Sequence, residues 1–459
     1  MAKKAGTKKN ESALKLDFQQ IGVMNKSLFT WAHHQPYTLT LCTTALVIGT
    51  ALLAPAGRTQ PELARNADDF IDTIGVNTHL FYDNSVYYQK YKEIIKPKLL
   101  ELGVRHIRDG GTLNRNGYLD RLKELGTLGI QSTLIFDPRN STPQGAVALI
   151  KELGMGVVEA AQGPNEYDNS GDANWVSTLR TYQQQLYRAI RGDSAAAALP
   201  VYGPTLTSAE AYNSIGDLSS VVDYAAMSNY YSGRNPGTSG WGDQGYGSIG
   251  WNVQLAHKYS GSKSVVSTEA GYHNMVSTTD GHIGVPEDVS GKYIPRIYLE
   301  HFNYGIPRTL IYELINVYNE PNNWNKNFGL LRNNGSEKPA FIALKNLISL
   351  LKDPGPNFTP RALDYVLSGN TTNVHHTLLE KRSGTFYLIL WQEVSSFNVN
   401  SKQNINVSSQ QVTLTLNQPI ESATIYLPNN STASIEQDSN PNQINLNVPD
   451  YPLVVELKN

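Results

Sequence analysis

The stretch Val157–Asp168, with the sequence VVEAAQGPNEYD, decides how the rest of the chain is interpreted. Its apolar first half predicts a short buried strand, which Gly163 and Pro164 bring to an end. The polar pair Asn165 and Glu166 follows at once. A carboxylate just beyond a buried parallel strand lies where barrel enzymes place catalytic groups, whereas the simpler alternative is a solvated loop charge.

A second stretch, Ser264–His273 (SVVSTEAGYH), repeats this pattern further along the chain. Val265 and Val266 predict the strand, and Glu269 ends it. Two strand-end carboxylates that face one cleft, Glu166 and Glu269, suit the acid/base and nucleophile steps of glycosidic bond cleavage. The pairing of two similar contexts favours chemistry over two unrelated surface charges.

Short apolar runs alternate with amphipathic helical patterns from about Asp68 onward. This alternation is typical of βα units, and eight of them predict an α/β fold of the (β/α)8 TIM-barrel type. No Gly-rich phosphate loop follows the first strand, which argues against a doubly wound nucleotide fold. The predicted strands are Ile74–Leu80, Val104–Ile107, Gln131–Phe136, Val157–Gln162, Pro200–Pro204, Tyr224–Tyr230, Ser264–Thr268 and Thr309–Leu314.

The composition changes after the stiff break Asp353–Pro356 (DPGP) towards Asn, Ser, Thr and Val. Period-two stretches such as Thr385–Leu390, Val412–Leu416 and Leu453–Leu457 predict antiparallel strands. We therefore expect a C-terminal antiparallel β-sandwich packed on the barrel. The predicted domains are a leader at 1–57, the barrel at 58–353 and the sandwich at 354–459.

The N-terminal leader combines a lysine-rich part, residues 1–36, with the uncharged run Thr38–Ala56. This pattern predicts either a signal peptide that ends at Ala54–Ala56 or an uncleaved membrane anchor. Basic residues on its amino side predict that the remainder is exported, either secreted or anchored to the membrane. The single cysteine, Cys42, lies inside this run, so the exported part needs no thiol or disulfide.

Composition and charge exclude several other classes of function. The hydrophobic fraction of 40% allows a large core, and a net charge of −2 gives no electrostatic footprint for nucleic acid. No Cys or His cluster has the spacing of metal ligands, so neither a metal nor another cofactor is expected. The sequence leaves the oligomeric state open.

Barrel closure would bring the residues at the carboxyl ends of the strands to one rim. We interpret Glu313 as a residue that either makes a structural hydrogen bond or contacts the substrate. We interpret His79 as a residue that either contacts the substrate or belongs to a polar network in the core. The aromatic loop Ser232–Trp251 predicts either a cleft wall, with Trp241 as a sugar platform, or a surface loop. The polar residues at these ends are Asn77, His79, Arg108, Asp109, Asn165, Glu166, Asn229, Tyr230, Tyr231, Glu269, Tyr312 and Glu313.

The Asn165–Glu166 pair, with Glu269 ending a strand three units later, resembles glycoside hydrolase clan A. Members of that clan are (β/α)8 enzymes that cleave glycosides with retention of configuration. The resemblance covers roughly residues 68–352, and the attached sandwich is similar to the family 39 branch of xylosidases and exopolysaccharide hydrolases. It implies that Glu166 is the acid/base, that Asn165 binds the sugar 2-hydroxyl and that Glu269 is the nucleophile.

The same resemblance gives roles to the surrounding residues. Arg108 matches the strand-two arginine that orients the nucleophile, and Tyr231 would donate a hydrogen bond to Glu269. Asn229 stands where the clan often has a histidine. The clan's strand-eight tryptophan is absent. The sequence leaves open whether Trp324 in the following loop takes its place. The predicted substrate-binding set is Asn165, Arg108, His79, Tyr231, Asn229, Tyr312, Glu313 and Trp241.

The sequence thus predicts a retaining glycosidase that acts on a polysaccharide or oligosaccharide. The physical requirement is one protonated and one ionised carboxyl, about 5–5.5 Å apart. One alternative is a carbohydrate-binding pseudoenzyme that keeps the cleft without turnover. A second is a structural wall protein with a degenerate barrel, which would have no ordered cleft.

Overall fold

The computed structural model describes residues 61–113 and 117–458, which all belong to one compact unit. The predicted leader at 1–57 lies outside the described residues, and with it the expected signal peptide or anchor. Among the helices that are described, none has the length and apolar character needed to span a bilayer.

Eight parallel strands form one sheet in the order β5-β4-β3-β2-β1-β8-β7-β6. A parallel bridge between Tyr202 and Tyr224 joins the two end strands, so the sheet closes into a barrel. The predicted TIM barrel is confirmed. The strands are β1 Ile74–Asn77, β2 His106–Gly110, β3 Gln131–Ile135, β4 Val158–Gln162, β5 Val201–Tyr202, β6 Ala225–Tyr230, β7 Val265–Gly271 and β8 Thr309–Ile311.

The strand bounds differ from the prediction mainly at the carboxyl ends. Strand β7 continues to Gly271, so Glu269 lies within the strand and pairs in register with Ser228 of β6. Strand β8 ends at Ile311, and the predicted strand residues Tyr312 and Glu313 follow it. The rim of the barrel therefore holds some candidate residues on strands and others on the loops that leave them.

Amphipathic helices surround the barrel. In the helix Trp175–Gly192, residues three or four positions apart are buried, namely Leu179, Tyr182, Leu186 and Ile190. The helix Pro143–Leu153 begins with Thr142, whose side chain accepts a hydrogen bond from the Gly145 N–H. The other α-helices are Ala67–Asp72, Val86–Gln89, Lys96–Leu102, Tyr118–Thr127, Ala209–Ser214, Ile249–Ser260, Glu287–Tyr304 and Pro339–Leu351.

The C-terminal part forms antiparallel sheets that enclose a second hydrophobic core, as predicted for a β-sandwich. One sheet pairs Tyr365–Gly369, Gln410–Leu416 and Gln443–Val448. In the sheet that faces it, strand residues such as Leu388 and Leu390 point into the core of the sandwich. They alternate with residues that pack towards the barrel. The facing sheet runs through Ser434–Ser439, Ser422–Tyr426, Leu453–Lys458, Phe386–Gln392 and Val374–Glu380.

The chain contributes to these sheets before it enters the barrel. Arg65–Asn66 pairs in parallel with Val374–Glu380, and Glu62–Leu63 pairs with Ala362–Leu363. The sandwich therefore takes short strands from both sides of the barrel sequence. The predicted bounds of the domains stay a prediction.

Candidate active site

Arg108 is the centre of a buried network at the carboxyl end of the barrel. Its Nη1 donates to Asn77 Oδ1 and to Glu269 Oε1, each at 2.7 Å. Its Nη2 donates to Asn165 Oδ1 at 2.8 Å, and its Nε to Gln162 Oε1 at 2.6 Å. One guanidinium thus fixes side chains from β1, β4 and β7, because its donors point in several fixed directions.

Glu269 is held at both of its carboxyl oxygens. Oε1 accepts the hydrogen bond from Arg108, and Oε2 accepts one from the Tyr230 hydroxyl at 2.8 Å. The side chain is largely buried at the rim. Two donors, one of them charged, fix the orientation of this carboxyl group.

Glu166 has different surroundings. It lies just after β4 with φ of 51°, and its N–H donates to the carbonyl oxygen of Thr205 at 2.9 Å. Burial, and then the negative charges of Glu269 and Asp168, raise the pKa of Glu166 to about 8. This carboxyl is therefore protonated at neutral pH, and it lies close enough to Glu269 to be affected by its charge.

The turn that carries Glu166 is clamped on both sides. Asn165 Oδ1 accepts from the Thr205 hydroxyl at 2.6 Å as well as from Arg108. The Asn165 carbonyl accepts from Arg139 Nη2 at 2.8 Å, and Arg139 pairs with the buried Asp137. Both acceptors of Asn165 are thus engaged within the protein.

The predicted contact between Tyr231 and Glu269 is wrong. Tyr231 is fully buried, and its hydroxyl contacts His301 Nε2 at 2.8 Å on the helix Glu287–Tyr304. Tyr230 is the last residue of β6 and Tyr231 follows it directly. Neighbouring residues of an extended chain point to opposite sides, so Tyr230 faces the barrel interior and Tyr231 faces the surrounding helix. Tyr230 makes the contact that the sequence assigned to Tyr231.

Asn229 lies near the end of β6, and Trp241 lies in the loop that follows this strand. Asn229 is buried, and its Nδ2 donates to the Gly247 carbonyl at 3.1 Å, so it holds the end of that loop. The Trp241 ring packs 4.1 Å from the guanidinium of Arg234 and 4.9 Å from the Tyr246 ring. The assignment of Trp241 as a sugar platform stays a prediction.

His79 and Glu313 meet beside the cleft. Glu313 Oε2 lies 3.4 Å from His79 Nε2 and accepts from the Tyr87 hydroxyl at 3.2 Å. Burial raises the pKa of Glu313 to about 8 and lowers the pKa of His79 to about 3, so both are uncharged at neutral pH. Glu313 Oε1 is buried and has no hydrogen-bond partner in the part of the chain that the structure describes.

Tyr312 completes this corner. Its ring packs edge-on against His79 at 5.6 Å and against Phe328 at 5.4 Å, and its peptide bond to Glu313 is cis. His79, Tyr312 and Glu313 thus lie together, as the strand-end pattern predicted. They form an uncharged group of hydrogen-bonding atoms next to aromatic rings.

An aromatic wall adjoins this corner through Phe328, and the sequence indicated it only through Trp324. His282 stacks on Trp324 with ring centroids 4.7 Å apart, and Phe328 packs 5.5 Å from Tyr230. These residues come from the loops after β7 and β8. Sequence reasoning missed His282 and Phe328 because nothing in the local pattern of a loop shows which rings meet across the rim.

Gln162, Asp168 and Arg139 were also missed as parts of the site. Gln162 carries a signal that could have found it, because it is the last residue of the decisive strand and a buried amide needs a partner.

Among the described residues, no group of three or more His, Cys, Asp or Glu side chains is arranged to hold a metal ion.

Several solved structures are similar to this chain. A family 39 glycoside hydrolase from the gut symbiont Bacteroides cellulosilyticus WH2 matches with a TM-score of 0.59 and 15% identity, covering 86% of this chain and 83% of that one. An endo-β-1,6-glucanase covers 88% and 93% with a TM-score of 0.48 and 12% identity. A family 17 β-1,3-glucanosyltransferase from Rhizomucor miehei covers 54% and 89% at 0.42 and 15%.

No protein-family model and no curated protein matches the sequence. The structural likeness to the family 39 hydrolase extends over the barrel and the sandwich together. The chain therefore shares the fold of that hydrolase, a barrel followed by a β-sandwich, which confirms the fold that the sequence predicted.

Proposed function

We propose that this chain is a retaining glycoside hydrolase that cleaves a polysaccharide or oligosaccharide by double displacement. Glu166 is the acid/base and Glu269 is the nucleophile. The observation that carries the proposal is the difference between the surroundings of the two carboxyls. Glu269 accepts hydrogen bonds from Arg108 and Tyr230, whereas burial and negative neighbours raise the pKa of Glu166 to about 8.

In the first step, Glu166 gives its proton to the glycosidic oxygen while Glu269 attacks the anomeric carbon. The bond to the leaving group breaks, and a covalent glycosyl ester forms on Glu269. Arg108 and Tyr230 fix the attacking carboxylate, so little reorganisation is needed at the moment of attack.

In the second step, Glu166 acts as a base. The ester on Glu269 carries no negative charge, so one of the causes that raise the pKa of Glu166 disappears. The ionised Glu166 then takes a proton from water, the water attacks the anomeric carbon, and Glu269 leaves as a carboxylate. The sugar keeps its configuration after two inversions.

Substrate contacts follow from the remaining polar atoms. Asn165 is proposed to donate its amide hydrogen to the sugar 2-hydroxyl, since both of its acceptors are engaged within the protein. His79, Tyr312 and Glu313 are proposed to bind other hydroxyls of the same sugar. Because His79 and Glu313 are uncharged at neutral pH, this corner favours a neutral sugar over a uronic acid.

We also propose that the barrel and sandwich act outside the cytoplasm, secreted or anchored by the N-terminal segment. The proposal rests on the lysines of residues 1–36 followed by the uncharged run to Ala56. Protease added to intact cells, or to spheroplasts where an outer membrane is present, should digest this part. Full protection together with cytosolic marker proteins would contradict export.

The decisive experiment is covalent trapping. A slow fluorinated glycoside, chosen after a screen of aryl glycosides and polysaccharides, should leave one sugar on the peptide that contains Glu269, as detected by mass spectrometry. An adduct on Glu166 or Glu313 would overturn the assigned roles. Binding of a polysaccharide without turnover of any substrate would favour the pseudoenzyme.

A further inference from the structure

Glu393 is a buried carboxylate where the sandwich meets the barrel. It follows the sandwich strand Phe386–Gln392, and its two oxygens pair with Arg296 on the helix Glu287–Tyr304. Arg296 Nη2 lies 2.6 Å from Oε1, and Nε donates to Oε2 at 2.8 Å. This two-point pairing fixes the direction in which the carboxylate faces.

The same carboxylate also receives the loop that follows β6. Asn235 Nδ2 donates to Oε1 at 2.7 Å, and the Gly237 N–H donates to it at 2.8 Å. The approach is close, because a Cβ on Gly237 would lie 2.5 Å from Glu393 Cγ. A side chain of the sandwich therefore anchors the backbone of a barrel loop.

Neighbouring sandwich residues contact this loop and the next one. The Ser395 hydroxyl donates to Asn235 Oδ1 at 3.0 Å. A Cβ on Gly233 would lie 3.1 Å from Val399. Lys402 Nζ donates to the carbonyl of Thr278, in the loop after β7, at 2.5 Å. One short sandwich segment, residues 393–402, thus supports two loops at the carboxyl end of the barrel.

The loop at 232–248 is continuous with the candidate site. It begins two residues after Tyr230, whose hydroxyl holds Glu269. Ser232 Oγ donates to the Gly281 carbonyl at 2.7 Å and joins this loop to the one after β7. Loops at this end of a barrel surround the substrate cleft.

We propose that Glu393 is a positioning residue, through which the sandwich holds the 232–248 loop in place as a wall of the substrate cleft. The inference rests on the proposed glycosidase function and adds a specific task for the sandwich. A longer sugar chain would contact this wall, whereas a single sugar at Glu166 and Glu269 would not. The sandwich should thus affect recognition of chain length more than the chemical step.

The test uses loop variants that leave the buried Arg296–Glu393 pair intact. Asn235→Ala removes one donor, and Gly237→Ala places a methyl group against Glu393 Cγ. Asn404→Ala is the matched control, because it removes a 2.7 Å hydrogen bond between the sandwich and Asp288 of the barrel without touching the loop.

The first measurement is trypsin cleavage after Arg234 in the full-length protein, followed by mass spectrometry. Both loop variants should be cut about tenfold faster than the wild type. A factor of about ten corresponds to the stabilisation of the loop that is lost with one hydrogen bond to a charged group. Asn404→Ala should be cut at the wild-type rate. Equal rates in all four proteins would overturn the inference, whether or not the protein is a glycosidase.

The second measurement compares a long oligosaccharide with a small aryl glycoside. Both loop variants should raise KM about tenfold for the long substrate and leave its kcat almost unchanged. The kcat and KM for the aryl glycoside should also stay almost unchanged. An equal loss on both substrates would contradict a role in chain-length recognition. A wild type that turns over no glycoside would refute the proposed function, while the trypsin result would still decide whether Glu393 holds the loop.

Discussion

The ends of β4 and β7 each carry a glutamate at the carboxyl end of the barrel, and the two side chains have different surroundings. At the end of β7, Glu269 lies in the strand ladder and accepts from Arg108 and Tyr230. At the end of β4, Glu166 lies on a turn, near Glu269 and Asp168, and its pKa rises to about 8. In the proposed mechanism, the surroundings of the two glutamates, not their residue type, determine which of them serves as the acid.

The backbone supports the same division. Glu269 pairs with Ser228 across β6 and β7, so its carboxylate is fixed by a strand as well as by its donors. Glu166 has φ of 51° on a turn that Thr205 and Arg139 hold. A nucleophile benefits from a fixed direction of attack, whereas a proton donor must serve both the leaving group and the incoming water.

Replacing Glu269 should produce the largest effect. Glu269→Ala should lower kcat by about 10⁴–10⁶-fold, because the covalent step loses its nucleophile. Added azide should restore part of the rate and give a glycosyl azide of inverted configuration, identified by NMR. If Glu269→Ala stays active without azide, Glu269 is not the nucleophile, and the different surroundings of the two carboxyls do not reflect different catalytic roles.

Replacing Glu166 should produce an effect that depends on the leaving group. Glu166→Ala should lower kcat/KM by about 10²–10⁴-fold for an alkyl glycoside, which needs a proton. For a dinitrophenyl glycoside, the rate of the first step should fall far less, since the leaving group is stable as an anion. Steady-state kinetics on both substrates checks this, and an equal loss on both would contradict the role of acid.

Two adjacent tyrosines give a smaller and sharper test. Tyr230→Phe should lower kcat/KM about 10–100-fold with little change in the melting temperature, because Glu269 loses one donor. Tyr231→Phe should keep its activity and lose about 1–3 kcal/mol of stability, because His301 Nε2 loses its partner in the core. Thermal unfolding and kinetics on both variants distinguish the two roles, and the reverse pattern would contradict them.

Much of the barrel could be predicted because its signals are local. Short apolar runs predicted all eight strands, and the carboxyl-end rule predicted that Glu166 and Glu269 share one rim. The choice between Tyr230 and Tyr231 could not be made. The register of β6 against β7 shifts between Met227 and Ser228, and such an irregularity changes which side chains face inward.

Contacts between distant parts of the chain were also beyond the sequence. Arg296 and Glu393 are 97 residues apart and lie in different domains. The pairing of Arg65–Asn66 with a C-terminal strand has no local signal either. Both depend on how the barrel and the sandwich pack, which periodicity within one element does not determine.

The last and smallest effect is the pH dependence of the acid. The pKa of Glu166 is raised from 4.5 to about 8, so the protonated form is the main one below pH 8. For a substrate that needs a proton, kcat/KM should fall about tenfold per pH unit above that value. Titration by carbon NMR should show a lower Glu166 pKa in Glu269→Gln, because a negative charge is removed, and a smaller decrease in Asp168→Asn. If neither variant lowers that pKa, the two carboxyls are not coupled, and burial alone accounts for the difference between the ends of β4 and β7.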